Sequence, residues 1–236
     1  MAAIQQLLAS YGGAGGDSSF SSVGFLLHFD GTNGQTTTVD SGPRGKTFTR
    51  SGAGAGVIDT SQSVFGGSSW KQSANTGVLS TPQDTTYITA SGSTPWTWEG
   101  RFRPVSFASA VVLFDNNNAS SNSTGWQIYI GTDAKFYIYS GTQAISYGGY
   151  GTAMSANTWY ALRITWDGTT LYFFRDGALV GSTTGFTNVW GNLVYLANST
   201  FLNQGYTGYM DEVRWTKGVC RSTATYTLDT SAFPNF

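Results

Sequence analysis

Residues Gly208–Arg221 read GYMDEVRWTKGVCR. Tyr209, Asp211, Val213 and Trp215 alternate with Met210, Glu212 and Arg214, the period-two pattern of a strand with one buried face. On that reading Asp211 shares a face with Val213 and Trp215. A carboxylate there is costly unless it is hydrogen-bonded or binds a cation. Asp211 and Glu212 are adjacent, so the same alternation points them to opposite sides, and they form no catalytic dyad by themselves.

Outward from this stretch, the sequence from Val23 onward reads as strands and turns. Trp159–Trp166, Leu171–Phe174 and Leu179–Ser182 form a meander joined by Asp167-Gly168 and Asp176-Gly177. Asp-Gly between apolar runs signals a tight hairpin, because glycine tolerates positive φ. Trp126–Ile130 and Lys135–Tyr139 form a second hairpin, and Val111–Phe114 and Leu193–Ala197 are further strands. Turns at short intervals in an all-β chain indicate a sandwich. At 236 residues, one sandwich of this kind is expected rather than two domains.

Composition narrows the function. Charged residues are only 11% and the formal net charge is −1, so there is no basic surface for nucleic acid. Hydrophobic residues reach 40%, which argues against disorder. Cys220 is the sole cysteine, so no intrachain disulfide forms. No signal peptide and no apolar run of membrane-spanning length is visible. These features fit synthesis and assembly in a cytosol.

Residues 2–11 (AAIQQLLASY) place Ile4, Leu7, Leu8 and Tyr11 on one helical stripe. So short a helix needs something to dock on. The glycine hinge Gly12–Gly16 and polar Asp17–Ser22 follow. The expected layout is therefore a docking arm and hinge over 1–22 and a globular body over 23–236.

Catalytic signals are sparse. Glu99 and Glu212 are the only glutamates. Glycosidases need a pair of carboxylates flanking one bond, and no acid cluster is present. Glu99 falls on the Thr97/Arg101/Arg103 face of its strand and is expected to pair with an arginine. His28 is the only histidine and lacks convergent partners, and Cys220 reads as an inert thiol. No enzyme activity is expected.

A binding surface is better supported. Trp126, Ile128, Ile130, Phe136 and Ile138 read as core, which leaves Tyr129, Tyr137 and Tyr139 on the opposite face. Tyr147 and Tyr150 follow in the loop Gly141–Gly151. Such tyrosines can stack on sugar rings or pack on another subunit. The polar loop Asn116–Thr124 adds an adaptable rim.

Five motifs in order resemble the laminin-G-like, concanavalin-A-like jelly rolls: Phe29–Gly34 (FDGTNG), Phe65–Trp70 (FGGSSW), Thr97–Pro104 (TWEGRFRP), Trp159–Gly181 and the GYMDEVR strand. The resemblance implies an all-β, two-sheet antiparallel jelly-roll sandwich with a short N-terminal helical arm. It implies that the first and last strands pair, which would let Asp30 and Asp211 meet. A structural calcium is the cofactor this allows, with those two carboxylates among its ligands. The tail GVCRSTATYTLDTSAFP (218–234) resembles that of modules on tailed-phage particles. The expected function is then a non-enzymatic virion protein, a capsid decoration (cement) or tail-associated component assembled in the host cytoplasm. It would dock on other virion proteins through its arm, with a homotrimer as one arrangement, and bind host-surface glycan without inserting into membrane. The alternative is a carbohydrate-binding module or lectin-like adhesin, with a glycoside hydrolase behind both.

Overall fold

The computed structural model describes residues 16–52, 56–73, 77–82, 84–117, 123–191, 194–199 and 204–236. Ile4, Leu7, Leu8 and Tyr11, and with them the helical arm, lie outside these residues. The first half of the chain forms β1 (Val23–Leu27), β2 (Thr37–Val39), β3 (Thr47–Ser51), β4 (Val57–Asp59), β5 (Ser69–Gln72), β6 (Val78–Ser80), β7 (Trp96–Pro104) and β8 (Val111–Asp115). The second half forms β9 (Trp126–Ile130), β10 (Phe136–Ser140), β11 (Ile145–Gly148), β12 (Tyr160–Trp166), β13 (Thr170–Arg175), β14 (Ala178–Thr184), β15 (Tyr195–Leu196) and β16 (Gly208–Lys217).

These strands build two antiparallel sheets, a jelly-roll sandwich. Sheet A runs β14-β13-β12-β7-β16-β5-β4, with β1 also paired to β16. Sheet B runs β11-β10-β9-β8-β15-β6-β3-β2. The β13–β14 hairpin turns through Asp176 and Gly177 at φ 52° and 81°, as its Asp-Gly sequence requires. The pairing of first and last strands is present, with Leu27 opposite Val213 and Phe25 opposite Trp215.

The layer between the sheets is aromatic. Trp96 and Trp126 stack with ring centroids 5.0 Å apart, and Trp190, Trp215 and Phe114 close around them. Burial of one such phenyl ring contributes about 1.5–3 kcal/mol. Phe114 is fully buried.

The closing strand departs from strict alternation. Asp211 opposes Arg101, but Arg214 opposes Glu99, so three steps on β16 match two on β7. One extra residue is a β-bulge, and Glu212 adopts a φ of 51° there. The bulge changes which residues share a face. Met210, Val213 and Trp215 join the core, whereas Asp211 aligns with Arg101 on the outer side of sheet A. Asp211 therefore does not share a face with Val213 and Trp215. Glu212 also lies on the outer side, where it meets His28 and the tail.

The outer side of sheet A is covered by both ends of the described chain. Phe233 packs with Val23, Leu26 and Phe20. The Asp17 carboxylate accepts hydrogen bonds from Arg214 and Arg221, and its amide donates to the Phe236 carbonyl at 3.0 Å. Residues 17–22, the polar segment that follows the glycine hinge, are thus held against the body.

Candidate functional site

Two polar regions stand out, one on each outer face. On sheet A, Glu99 is buried among arginines. Its Oε2 accepts from Arg163 Nε at 2.7 Å and its Oε1 from Arg214 Nε at 2.9 Å. Arg221 lies 3.6 Å away. Burial alone would raise this carboxyl, but the charges of Arg214, Arg163 and Arg221 outweigh it and lower the pKa to about 2. All of these groups are engaged with one another, which makes the cluster a clamp and matches the ion-pair expectation for Glu99.

At the β1–β16 crossing, His28 Nδ1 lies 2.7 Å from Glu212 Oε1, and Glu212 Oε2 accepts from the Phe233 amide at 2.7 Å. Burial lowers the His28 pKa, and the bond to Glu212 more than reverses this. Asp211 Oδ2 accepts from the amides of Val64 and Phe65 at 2.7 and 3.1 Å. Asp211 Oδ1 is buried with no partner, and burial pushes the carboxyl up to about 7. Asp30 is exposed and close to Gly66, where an added Cβ would fall 1.7 Å from Asp30 Oδ1. Asp30 and Asp211 thus both flank the His28–Glu212 pair.

Among the described residues, no three His, Cys, Asp or Glu side chains form a metal-binding group. The one oxygen here that could serve a cation is the orphaned Asp211 Oδ1; Asp30 interacts with His28 and Glu212, and among the described residues no contact joins it to Asp211. Carbonyls and water would have to supply the remaining oxygens. Bound there, the ion would neutralise a buried carboxylate. Cys220 donates weakly to the Ser222 carbonyl, and burial raises its pKa, so its thiol stays protonated.

Sheet B is organised differently. Tyr129 and Tyr137 are cross-strand partners whose rings stack 5.1 Å apart at 15°. The Tyr129 hydroxyl donates to Ser146 Oγ at 2.9 Å, and the Tyr137 hydroxyl to Asp133 Oδ2 at 2.5 Å. Burial and that acceptor push the Tyr137 phenol up to about 12. A Cβ on Gly149 would stand 2.5 Å from its oxygen, so glycine is what lets the segment after β11 lie against it. This pair is packed on itself.

Tyr147 meets Phe186 edge-on and donates to the Gly185 carbonyl at 2.9 Å. Tyr150 lies over Phe173 and donates to the Ser182 carbonyl at 3.3 Å. These two join the sheet B edge to the region of β14. Tyr139 is half-buried, and among the described residues its hydroxyl has no hydrogen-bond partner. The five tyrosines are therefore three on the outer face and two at the seam between sheets.

Beside Tyr139 lies a group that the sequence reading passed over. Gln127 opposes Tyr139 on one side and Asp115 on the other. Asp115 Oδ1 accepts from Asn117 N at 2.8 Å and from Asn117 Nδ2 at 2.9 Å. Asp115 Oδ2, Asn117 Oδ1 and Gln127 Oε1 are buried with no hydrogen-bond partner. Burial raises the Asp115 pKa against the pull of Asn117 and Ser199. Each unsatisfied buried polar group costs about 1–3 kcal/mol, so three together need a reason. A hint was present in sequence: Asp115 directly precedes the polar loop that holds Asn117, and Gln127 alternates with Tyr129 along β9.

The profile described as Laminin_G_3, of the concanavalin A-like lectin/glucanases superfamily, matches residues 72–223. No curated protein sequence matches the chain. Among solved structures, domain 4 of AbnA, a GH43 extracellular arabinanase from Geobacillus stearothermophilus in complex with arabinotriose, superposes with a TM-score of 0.61 at 14% identity, over 84% of this chain and 93% of that one. The botulinum neurotoxin serotype G binding domain superposes with a TM-score of 0.59 at 13% identity, over 88% of this chain and 49% of that one. The binding domain of botulinum neurotoxin DC in complex with SialylT gives a TM-score of 0.56 at 13% identity, over 89% and 49%. The chain thus spans about half of each toxin binding domain. At these identities the likeness is one of fold.

Proposed function

We propose a carbohydrate-binding role without turnover, on the premise that this chain belongs to the concanavalin A-like lectin/glucanase superfamily. The observation that carries it is the set of buried, unpaired oxygens of Asp115, Asn117 and Gln127 beside Tyr139 on sheet B. Sugar hydroxyls are the donors such acceptors lack, and an aromatic neighbour gives the ring a surface to rest on. Two of the structural neighbours are complexes, one with arabinotriose and one with SialylT. A glycan array with the whole chain tests the role. Binding that Gln127→Ala abolishes supports it, and an array with no binding, or release of sugar from any bound polysaccharide, sinks it.

We further propose that the module is displayed on a phage particle as a capsid decoration or tail-associated protein. Support comes from the chain path: Asp17 is fixed on sheet A, away from the candidate glycan face. A tether and a recognition surface on opposite sides suit a displayed domain. Deletion of residues 1–15 is expected to leave a folded body that no longer joins the particle. Normal incorporation of that truncation would refute the docking role of Ile4, Leu7, Leu8 and Tyr11.

A further inference from the structure

We propose that a strip on the outer side of sheet A, formed by Trp159, Arg103, Tyr209 and Lys71, is a docking surface for a partner protein, with Arg103 receiving an Asp or Glu side chain of that partner. The inference goes beyond both readings above, since it needs neither a saccharide nor a phage particle.

The starting point is a donor without an acceptor. Every other arginine of the chain donates from its guanidinium to a carbonyl or carboxylate oxygen. Among the described residues, the Arg103 guanidinium has neither an ion pair nor a hydrogen bond, and it lies 5.5 Å from the centroid of the Tyr209 ring. A guanidinium offers five N–H donors in a planar fork, the shape that a carboxylate matches with both oxygens.

Register builds the strip around this group. Tyr209 on β16 opposes Arg103 on β7 and Lys71 on β5. Residues opposed on neighbouring strands project to the same side of a sheet. Met210, the next residue of β16, lies in the core, so Tyr209 and its two partners face outward. Trp159, directly before β12, brings its ring to 6.5 Å from that of Tyr209. Lys71 Nζ stands 5.5 Å from the Tyr209 centroid and pairs with Asp59 at 3.1 Å. All four residues are half-buried, accessible from outside yet held by their neighbours. Across β12, β7, β16 and β5, three intervals of about 4.8 Å make the strip roughly 14 Å long.

The C-terminal tail leaves this strip open. It is fixed beside it, where the Asp229 carbonyl accepts from Arg101 and the Phe233 amide donates to Glu212. Among the described residues, no hydrogen bond or ring contact joins the tail to the four side chains.

Composition and charge choose the occupant. Trp, Tyr and Arg are the side chains in which the binding energy of protein interfaces concentrates. Lys71 is already matched by Asp59, so Arg103 is the one free cation of the strip. A single free cation suits a single carboxylate. Nucleic acid or another polyanion is held by many cations together, and a net charge of −1 adds no attraction for one. The chain path agrees, since Asp17, from which residues 1–15 continue, is held on the same outer side of sheet A.

The test is selection of a random linear-peptide library on the whole chain, with counter-selection on Arg103→Gln. Enriched peptides are expected to carry Asp or Glu beside an apolar residue. Synthesised and titrated, they should bind Arg103→Gln and Trp159→Ala about tenfold more weakly than the wild type. Arg103→Lys, which keeps the charge without the fork, should fall between. Exchange of the peptide's acid for its amide should abolish binding. Melting curves establish that each variant folds, and Arg103→Lys carries the test if Arg103→Gln does not. No enriched peptide, enriched peptides without an acid, or wild-type binding by the Arg103 and Trp159 variants would overturn the proposal. Displacement of the peptide by a uronic-acid oligosaccharide at lower concentration than the peptide itself requires would reassign the strip to a sugar. Self-association that Arg103→Gln abolishes would make it a contact between copies of this chain, and either result would overturn the proposal as stated.

Discussion

The outer faces of the two sheets use polar residues in opposite ways. On sheet A, one buried carboxylate is shared among arginines, and Asp17 and the C-terminal tail are stitched over the result. On sheet B, hydroxyl and amide groups cross the sheet, and three buried oxygens are left without donors. Polar burial is thus offset by ion pairs over most of the first face, Asp211 Oδ1 apart, and left without partners at three oxygens on the second. A fold keeps such a cost where something outside the chain relieves it.

The largest expected effect lies on sheet A. Glu99→Ala leaves Arg163, Arg214 and Arg221 facing one another without their shared counter-charge. Breaking a buried pair of this kind costs about 3–5 kcal/mol. For a domain of this size that lowers the melting point by roughly 10 °C. A shift within a degree would mean that the clamp contributes little.

Acid titration sharpens the same point. The folded pKa of Glu99, about 2, lies below its ordinary value of 4.5. A depressed pKa contributes stability that is present above the unfolded value and lost as pH falls through the folded one. The melting temperature should therefore drop between about pH 4.5 and pH 2, and Glu99→Gln should flatten that slope. An unchanged slope in the variant would assign acid sensitivity elsewhere.

A smaller effect is expected at the β1–β16 crossing. Calcium added at neutral pH should raise the melting temperature, excess chelator should reverse it, and Asp211→Asn should abolish the response. Identical melting in calcium and in chelator would remove the ion from this site. The smallest effect belongs to sheet B. Gln127→Leu deletes a buried amide whose oxygen has no partner, so stability should stay level or rise by up to about 1 kcal/mol. A large loss would show that Gln127 is structural.

Local signals gave the sandwich away. The Asp-Gly turns located β12, β13 and β14 to within a few residues, and Trp126–Ile130 was bounded correctly. The bulge at Glu212 was not legible, because an extra residue shows only against the partner strand. It moved Asp211 to the outer face and so changed its neighbours. Alternation places Tyr129, Tyr137 and Tyr139 on the outer face, as found, whereas Tyr147, expected in a loop, lies in β11. That Tyr129 and Tyr137 would stack on each other, and that Tyr147 and Tyr150 would close a seam, depended on pairings with Gly149 and with the region around β14. The alignment of Tyr195, Asp115, Gln127 and Tyr139 across sheet B was hidden for the same reason. Tyr195 and Ser80 reach Asp115 only through long-range register, which a single sequence does not display.

The most direct test of the contrast between faces is amide hydrogen exchange on the whole chain, with and without a saturating neutral oligosaccharide. Slowed exchange should concentrate on β8, β9, β10 and β15, with the strands of sheet A unchanged. Protection on sheet A, with none on sheet B, would contradict the account.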